Sequence, residues 1–360
     1  MMTTIICSIA FSPIHREASA KDQSLSILKK VIDWQLLHPK HSDVDWTNAT
    51  LFTGVMALYE VTKDARYLSA MLEIGKANHW MPGRRKHNVD DLTIGQTYIE
   101  LYMIEKDSKM IAPLKHVFDK IIAAPRDKRL EWWYCDALFM VPPALARLSA
   151  ATEDQQYLDY MNEMWWDTAD LLYDTEEHLF FHSEPFLRKK DGSGPLEKNG
   201  QKIFWGRGNG WVIAGIVRVL QYMPEEYPAR KQYITLLREI SERLADIQCE
   251  DGLWRSSLLD PDSYPGGETS GSGLICYAIA WGVNNSILDR QKYMPVVEKT
   301  WEALVGAVHE SGKLGWVQPI GNAPRITKEK ETEVYGVGAF LLAGAEMHKL
   351  SKRNGGNAAN

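Results

Sequence analysis

The sequence predicts an all-α fold in which six helical hairpins close into an (α/α)6 barrel. Along the 360 residues, apolar residues recur at i, i+3, i+4 and i+7, whereas the alternation typical of strands is almost absent. Six segments of small and apolar residues each begin at an Asn, Asp or Thr, which are residue types that favour helix N-termini. They alternate with six amphipathic segments, so each hairpin is able to bury its apolar side against its neighbours.

The six apolar segments are the predicted inner helices. Their glycines and alanines allow the close approach between helices that a closed ring requires. They begin at Asn48, Asp91, Asp136, Asn209, Thr269 and Thr332. The unequal spacing of these positions favours a closed barrel over a regular open solenoid. Closure would bring the N-termini of the inner helices, and the loops before them, to one mouth.

The six charge-bearing segments are the predicted outer helices, each with one face in water. They lie near residues 22–38, 64–80, 109–123, 154–174, 229–248 and 291–310. We therefore expect one barrel domain over residues 21–350. An N-terminal extension or signal remnant is expected over residues 1–20, and a flexible C-terminal tail over residues 351–360.

Composition excludes several classes of function. A net charge of −6 and short basic runs, such as residues 84–86 (Arg-Arg-Lys), argue against a nucleic-acid partner, and these runs are interpreted as solvated surface. No apolar run reaches the roughly 18 residues that span a bilayer, so no membrane partner is expected. No cluster of residues has the spacing of metal ligands, and neither a metal nor an organic cofactor is predicted. The 13 Trp and 15 Tyr offer flat faces that suit sugar rings as well as a core.

The N-terminus leaves two locations open, the cytoplasm and, if the N-terminus is an export signal, the periplasm. Residues 5–11 form a short apolar stretch, and residues 18–20 (Ala-Ser-Ala) resemble a cleavage site. However, no positive charge precedes the apolar stretch, and residues 15–17 (His-Arg-Glu) interrupt the approach to the site.

The loop before the third inner helix carries the main candidate for a catalytic acid. Residues 131–136 (Glu-Trp-Trp-Tyr-Cys-Asp) end at Asp136, which is interpreted either as a helix N-cap or as a catalytic acid. A helix N-terminus favours the carboxylate, whereas aromatic neighbours that exclude water favour the neutral acid. A carboxyl between these influences is able to hold a proton near neutral pH and donate it to a substrate.

Three further loops carry candidate site residues. Before the second inner helix stand Asp90 and Asp91; capping accounts for one, and we expect at least one of the two to face the cavity. Residues 204–211 (Phe-Trp-Gly-Arg-Gly-Asn-Gly-Trp) place Arg207 among glycines, where it could engage a carboxylate in a fork. His182 and Glu268 are weaker candidates, since a structural role suffices for either.

Four motifs in combination resemble a known family. They are Trp-Trp-Tyr-Cys-Asp136-Ala-Leu-Phe-Met, Trp205-Gly-Arg207-Gly-Asn-Gly-Trp211, Asp251-Gly-Leu-Trp-Arg and Gly267-Glu-Thr-Ser-Gly-Ser-Gly. Together they resemble glycoside hydrolase family 105, the unsaturated rhamnogalacturonyl hydrolases, and more distantly the unsaturated glucuronyl hydrolases of family 88. The resemblance runs from about Trp46 to Gly344.

The resemblance implies an (α/α)6 barrel that acts on oligosaccharides left by polysaccharide lyases. Such substrates carry a 4,5-unsaturated uronic acid at the non-reducing end, most commonly galacturonate-derived and followed by rhamnose. By resemblance, Asp136 protonates C4 and helps a water add at C5, and the resulting hemiketal collapses. The second acid falls on the pair Asp90 and Asp91. The implied substrate-binding residues are Trp46, Asn48, Trp133, Tyr134, His182, Arg207 and Trp211.

Two alternative functions remain open at this point. A sugar epimerase or isomerase on the same barrel would need histidines on opposite sides of the substrate, and clustered histidine motifs are absent from the sequence. A carbohydrate-binding barrel without turnover would not need Asp136, Arg207 and a second acid. The sequence therefore favours the hydrolase.

Overall fold

The protein is described from a computed structural model that covers residues 13–85, 88–125, 132–189 and 191–357, with side chains between residues 24 and 352. Within these ranges the chain is mainly helical. The helices in chain order are α1 (Pro13–Leu37), α2 (Trp46–Thr62), α3 (Ala65–Ala77), α4 (Gly95–Glu105), α5 (Ala112–Ala123), α6 (Ala137–Met140), α7 (Pro142–Thr152), α8 (Gln156–Leu172), α9 (Gly206–Leu220), α10 (Arg230–Asp246), α11 (Thr269–Asn284), α12 (Arg290–Gly306) and α13 (Val334–Asn357). A two-stranded antiparallel ribbon, β1 (Tyr173–Asp174) and β2 (Leu179–Phe180), follows α8.

The helices form two concentric rings. The inner ring runs through α2, α4, α7, α9, α11 and α13, and α13 packs back against α2. The helices α1, α3, α5, α8, α10 and α12 alternate with them along the chain and pack on the outside of this ring. The predicted (α/α)6 barrel is confirmed.

The inner and outer helices differ in burial as their sequences predict. Every residue of the inner helix α9 is buried, including the polar residues Arg207, Asn209 and Arg218. The outer helix α10 buries one stripe, formed by Tyr233, Leu236, Leu237, Ile240 and Leu244 among others. This spacing of three and four residues is the pattern of a helix with one face in water.

Glycine brings neighbouring inner helices together. A Cβ placed on Gly54 in α2 would lie 2.5 Å from the carbonyl oxygen of Gly338 in α13. A Cβ on Gly338 would likewise lie 2.5 Å from the carbonyl oxygen of Thr50. Because real Cβ atoms do not approach oxygen so closely, both positions require glycine, and the predicted close approach is confirmed for this pair of helices.

Two inner helices are built differently from the prediction. The helix expected at Asp91 begins at Gly95, and Asp90–Leu92 form a separate 3-10 turn. The helix expected at Asp136 begins there but is interrupted at Val141, where α6 ends and α7 begins. Pro142 and Pro143 have no backbone N–H to donate, so the hydrogen-bond ladder does not continue through them.

The predicted N-terminal extension and C-terminal tail stay predictions. Residues 1–12 lie outside the described residues, and α1 begins at Pro13. At the other end α13 runs to Asn357. Among the helices of the described residues, none has the length and apolarity to cross a membrane.

Candidate active site

A cavity of about 580 Å³ opens at the end of the barrel where the inner helices begin. Its walls come from Trp46 at the start of α2, from residues 85 and 88–90 before α4, and from residues 133, 134 and 136 before α6. Met140 in α6, His182, which follows β2, and residues 320–322 before α13 complete the lining. The expectation that the inner helices begin at one mouth is confirmed for α2, α4, α6 and α13, whose starts or preceding loops line the cavity.

Asp136 precedes α6 and faces this cavity. It occupies the N-cap position with a helical backbone (φ −62°, ψ −28°), but its carboxyl accepts no capping hydrogen bond from the helix. The thiol of Cys135 donates to Oδ1 of Asp136 over 3.3 Å. The N-cap interpretation is therefore wrong for the side chain, which is left available to the cavity.

The surroundings of Asp136 favour its neutral form. Burial raises the pKa of this carboxyl, while attraction to the protonated form of His182 and to the Arg207 guanidinium lowers it less strongly. Burial outweighs these attractions because removing a carboxylate from water costs more than distant charges return. The buried Cys135 thiol also has its pKa raised, by burial first and then by Asp136, so it stays protonated and is able to donate.

The two acids before α4 have separate environments. Asp90 lines the cavity, and its Oδ1 accepts a 2.7 Å hydrogen bond from the Tyr134 hydroxyl. Asp91 is 5% exposed, and its carboxyl accepts the backbone N–H, Nε–H and Nη2–H of Arg85. Asp91 lines a neighbouring cleft rather than the cavity. The geometry thus distinguishes the pair, and the expected catalytic role has no geometric support at Asp91.

Burial raises the pKa of Asp90, and Asp136 and Asp91 raise it further by repulsion. The hydrogen bond from Tyr134 and the positive charge of Arg85 act in the opposite direction. Repulsion from Asp136 across the shared cavity thus adds to the effect of burial on Asp90.

His182 is placed by the ribbon that ends at β2. Its carbonyl accepts a 2.8 Å hydrogen bond from the backbone N–H of Cys135, and its Nδ1 lies 2.9 Å from the Ser183 hydroxyl. Its ring stacks beside that of Tyr134, with 6.1 Å between centroids. Burial lowers the pKa of His182, so the imidazole is neutral at neutral pH and presents a hydrogen-bonding edge to the cavity.

Arg207 was expected to bind a substrate carboxylate, but its side chain does not line the cavity. It is 1% exposed, and its Nη1 and Nη2 donate to the carbonyl oxygens of residues 318, 319 and 321 and approach the Tyr335 hydroxyl. Its guanidinium stacks between the rings of Trp205 and Tyr335. The guanidinium that was expected to bind a substrate carboxylate thus binds backbone carbonyl groups of the loop that forms one cavity wall.

Two other predicted substrate-binding residues also lie behind the cavity wall. Trp211 is fully buried and packs against Phe139, Trp46 and Tyr335. Asn48 donates to the carbonyl oxygens of Lys40 and Ser42 and ties down the turn before α2. Trp211 therefore supports the cavity wall by packing, and Asn48 supports it by satisfying carbonyl groups of the turn.

Glu268 is a buried cap rather than a second acid in the cavity. Its carboxylate accepts hydrogen bonds from the N–H groups of Ser270 and Gly271 at the start of α11. It also accepts the N–H of Gln318 over 3.2 Å. Glu268 and Arg207 therefore hold the same loop from two sides.

The comparisons with known proteins agree with this geometry. The sequence model of Glycosyl Hydrolase Family 88 matches residues 20–351, nearly the whole chain. The chain belongs to Glycosyl Hydrolase Family 88. The described residues contain no group of three or more His, Cys, Asp or Glu side chains placed to hold a metal ion.

Relatives of this family 88 protein cover most of its length. An unsaturated 3S-rhamnoglycuronyl hydrolase from Formosa agariphila is 38% identical, over 94% of this chain and 92% of that protein. A solved structure of a family 88 glycosyl hydrolase from Bacteroides vulgatus is 30% identical with a TM-score of 0.86, over 91% of this chain and 99% of that chain. Another, described as a polysaccharide lyase, is 33% identical with a TM-score of 0.87, over 92% of this chain and 98% of that chain.

Sequence reasoning missed part of the cavity of this family 88 protein. Arg85, interpreted as solvated surface, lines the cavity, as do Asn88, Ile320 and Asn322. The missed signal was positional: residues 307–333 precede the sixth inner helix, so their Pro-Ile-Gly-Asn stretch at 319–322 belonged with the other mouth loops. Ile320 is 51% exposed, which fits an apolar residue that faces a ligand space.

Proposed function

We propose that this chain hydrolyses oligosaccharides that carry a 4,5-unsaturated uronic acid at the non-reducing end, by hydrating the C4=C5 double bond. The observation that carries the proposal is the pair Asp136 and Asp90, which face one aromatic-walled cavity with their pKa values raised by burial. A carboxyl whose pKa is raised, beside a second, hydrogen-bonded carboxyl, suits proton donation to carbon.

In the proposed reaction the neutral carboxyl of Asp136 donates its proton to C4. Positive charge then develops at C5 and is shared with the ring oxygen, and a water attacks C5. The Asp136 carboxylate accepts a proton from that water, which restores the neutral acid. The hemiketal at C5 opens, and the hemiacetal left at C1 releases the remaining sugar. One water is consumed, and Asp136 ends as it began.

The other cavity residues are proposed to orient the unsaturated ring. Asp90, held by Tyr134, would accept hydrogen bonds from ring hydroxyls. Trp46, Trp133 and Tyr134 offer aromatic faces to the sugar, and Trp133 is 49% exposed. Arg85 is the arginine among the cavity-lining residues, and because it is 55% exposed at the side chain it is placed to attract the substrate carboxylate.

The double bond removes the stereochemical difference between the two candidate uronates. Unsaturation at C4 and C5 eliminates both stereocentres, so rings derived from galacturonate and glucuronate differ in their anomeric linkage rather than in the ring itself. The Formosa agariphila relative is named for a 3S-rhamnoglycuronyl substrate. We therefore place an unsaturated glucuronyl ring linked to rhamnose ahead of the galacturonate-type substrate implied by the sequence motifs. Action in the cytoplasm or the periplasm remains compatible with either substrate.

The test is incubation with lyase-generated unsaturated disaccharides while the absorbance of the unsaturated uronate is followed. The wild-type protein is expected to remove the band, and Asp136→Asn is expected to leave it. Asp262→Asn, an exposed acid outside the cavity lining, is the matched control and should act as wild type. Persistence of the band with wild-type protein on glucuronyl-rhamnose, galacturonyl-rhamnose and glycosaminoglycan disaccharides would exclude the proposal. A lyase would instead generate the band from an intact polysaccharide.

A further inference from the structure

A second cleft adjoins the cavity and has no role in the proposed reaction. It has a volume of about 1170 Å³ and lies between the turn before α2, the segment after α3 and the outer helix α5. Trp46 and Arg85 line both spaces. These two residues therefore mark the boundary between cavity and cleft.

The acidic side chains of this cleft already have partners. Asp45 caps α2 by accepting the N–H of Thr47 over 3.0 Å, and its Oδ1 also accepts the Thr47 hydroxyl. Asp91 is held by Arg85 through its backbone and side chain. Neither carboxylate is free to neutralise another cation in the cleft.

The basic side chains of the cleft are in the opposite situation. Arg84 and Lys120 line it and are exposed, and neither makes a hydrogen bond or ion pair with a residue in the described part of the chain. His116 lies one helical turn before Lys120 on α5, so the two side chains share a face. His79 adds a further imidazole on the opposite wall. Among the described residues, Arg84 and Lys120 thus present positive charge to solvent without a carboxylate partner, beside the active-site cavity.

We propose that this cleft binds the anionic part of the oligosaccharide beyond the scissile bond. Its ligand is a negatively charged sugar unit, carrying a sulfate ester or a uronate carboxylate, that Arg84 and Lys120 recognise by charge. The inference rests on the proposed function, since it requires the unsaturated end to occupy the cavity. Its consequence is a preference for substrates longer than a disaccharide.

Ionic strength provides one diagnostic of this recognition. Exposed charges interact through water, and salt screens them over roughly 10 Å at 0.1 M. The preference for the longer substrate is therefore expected to shrink as sodium chloride is raised. Hydrolysis of a disaccharide, which ends at the boundary residues, is expected to respond less.

The decisive experiment compares kcat/KM for an unsaturated disaccharide and an unsaturated tetrasaccharide from one lyase digest of a sulfated polysaccharide. The double variant R84Q/K120Q is expected to lose roughly three- to tenfold in kcat/KM on the tetrasaccharide while its disaccharide rate stays within twofold of wild type. Lys231→Gln, which neutralises an exposed lysine on α10, is the matched control and should leave both values unchanged. A second arm uses the chemically desulfated tetrasaccharide.

The outcomes separate cleanly. Loss of the length preference in R84Q/K120Q supports the proposal, and the desulfated substrate then shows whether sulfate or carboxylate is the recognised group. An unchanged tetrasaccharide rate, or an equal loss on both substrates with an unchanged melting temperature, overturns it. If wild-type protein consumes neither substrate, the proposed function has failed instead. Single variants R84Q and K120Q repeat the comparison if the double variant melts at a lower temperature than wild type.

Discussion

The Tyr134 hydroxyl donates a 2.7 Å hydrogen bond to Oδ1 of Asp90, at the edge of the cavity that also contains Asp136. Burial raises the pKa of Asp90, and this bond is the largest influence that lowers it. Among the described residues, Asp136 has no comparable phenol donor, and its thiol donor Cys135 is a weak one. The two carboxyls of one cavity therefore differ in their tendency to ionise. Such a difference allows one carboxyl to act as a proton donor while the other is an anion.

Replacing Tyr134 with phenylalanine tests this relationship. Loss of the donor removes an influence that lowers the pKa of Asp90, so the pKa rises and Asp90 ionises only at higher pH. The acidic limb of the kcat/KM profile is expected to move to higher pH, with roughly a tenfold loss of activity at neutral pH. Tyr102→Phe, which removes a hydroxyl on α4 outside the cavity lining, should leave the profile in place. An unmoved acidic limb in Tyr134→Phe would contradict the assignment of that limb to Asp90.

The alkaline limb of the profile should report Asp136. The reaction needs this carboxyl protonated, and burial raises its pKa above the ordinary value for aspartic acid. Activity is therefore expected to fall as pH rises through the pKa that Asp136 has in the folded protein. Measurement of kcat/KM from acid to neutral pH on the unsaturated disaccharide checks the sign. An activity that increases steadily with pH through this range would show that Asp136 acts as a base from the start.

The same pKa shift predicts that Asp136→Asn is more stable than wild type at neutral pH. The folded pKa lies above the unfolded one, so the folded state binds more protons between the two values. Stability is then full below the unfolded pKa and is lost as pH rises through the folded pKa. Asparagine carries no charge to desolvate, so we expect the free energy of unfolding to increase by roughly 0.5–2 kcal/mol. Urea unfolding of both proteins at pH 7 measures it, and at low pH the difference should vanish.

Arg207→Lys is expected to weaken one wall of the cavity. The guanidinium donates to three backbone carbonyl oxygens of residues 318–321, and a lysine ammonium does not reproduce that planar fork. We expect the free energy of unfolding to fall by roughly 2–4 kcal/mol, together with a loss in kcat/KM. Arg255→Lys changes an arginine paired with Asp251 near the surface, and should cost less than about 0.5 kcal/mol. Equal effects of the two substitutions would show that the loop does not depend on Arg207.

The helical plan of this protein was readable from local pattern. Inner and outer helices differ in the period and charge of short segments, and that information is present wherever the segment stands in the chain. Asp136 could be placed at the mouth in the same way, because an inner helix begins directly after it. The position of Ile320 and Asn322 was available by the same reasoning, since they precede the sixth inner helix.

The separate roles of the charged residues could not be predicted from local sequence pattern. Asp90 and Asp91 are adjacent in sequence, and a contact with Arg85 and another with Tyr134 give them opposite surroundings. Arg207 satisfies the carbonyl of Gln318, a partner 111 residues further along the chain. Hydrogen bonds and burial depend on which atoms the closed barrel brings within about 3 Å. Sequence pattern therefore located the mouth and its acid, and the packing of distant loops determined which side chains face the cavity and which ones build its walls.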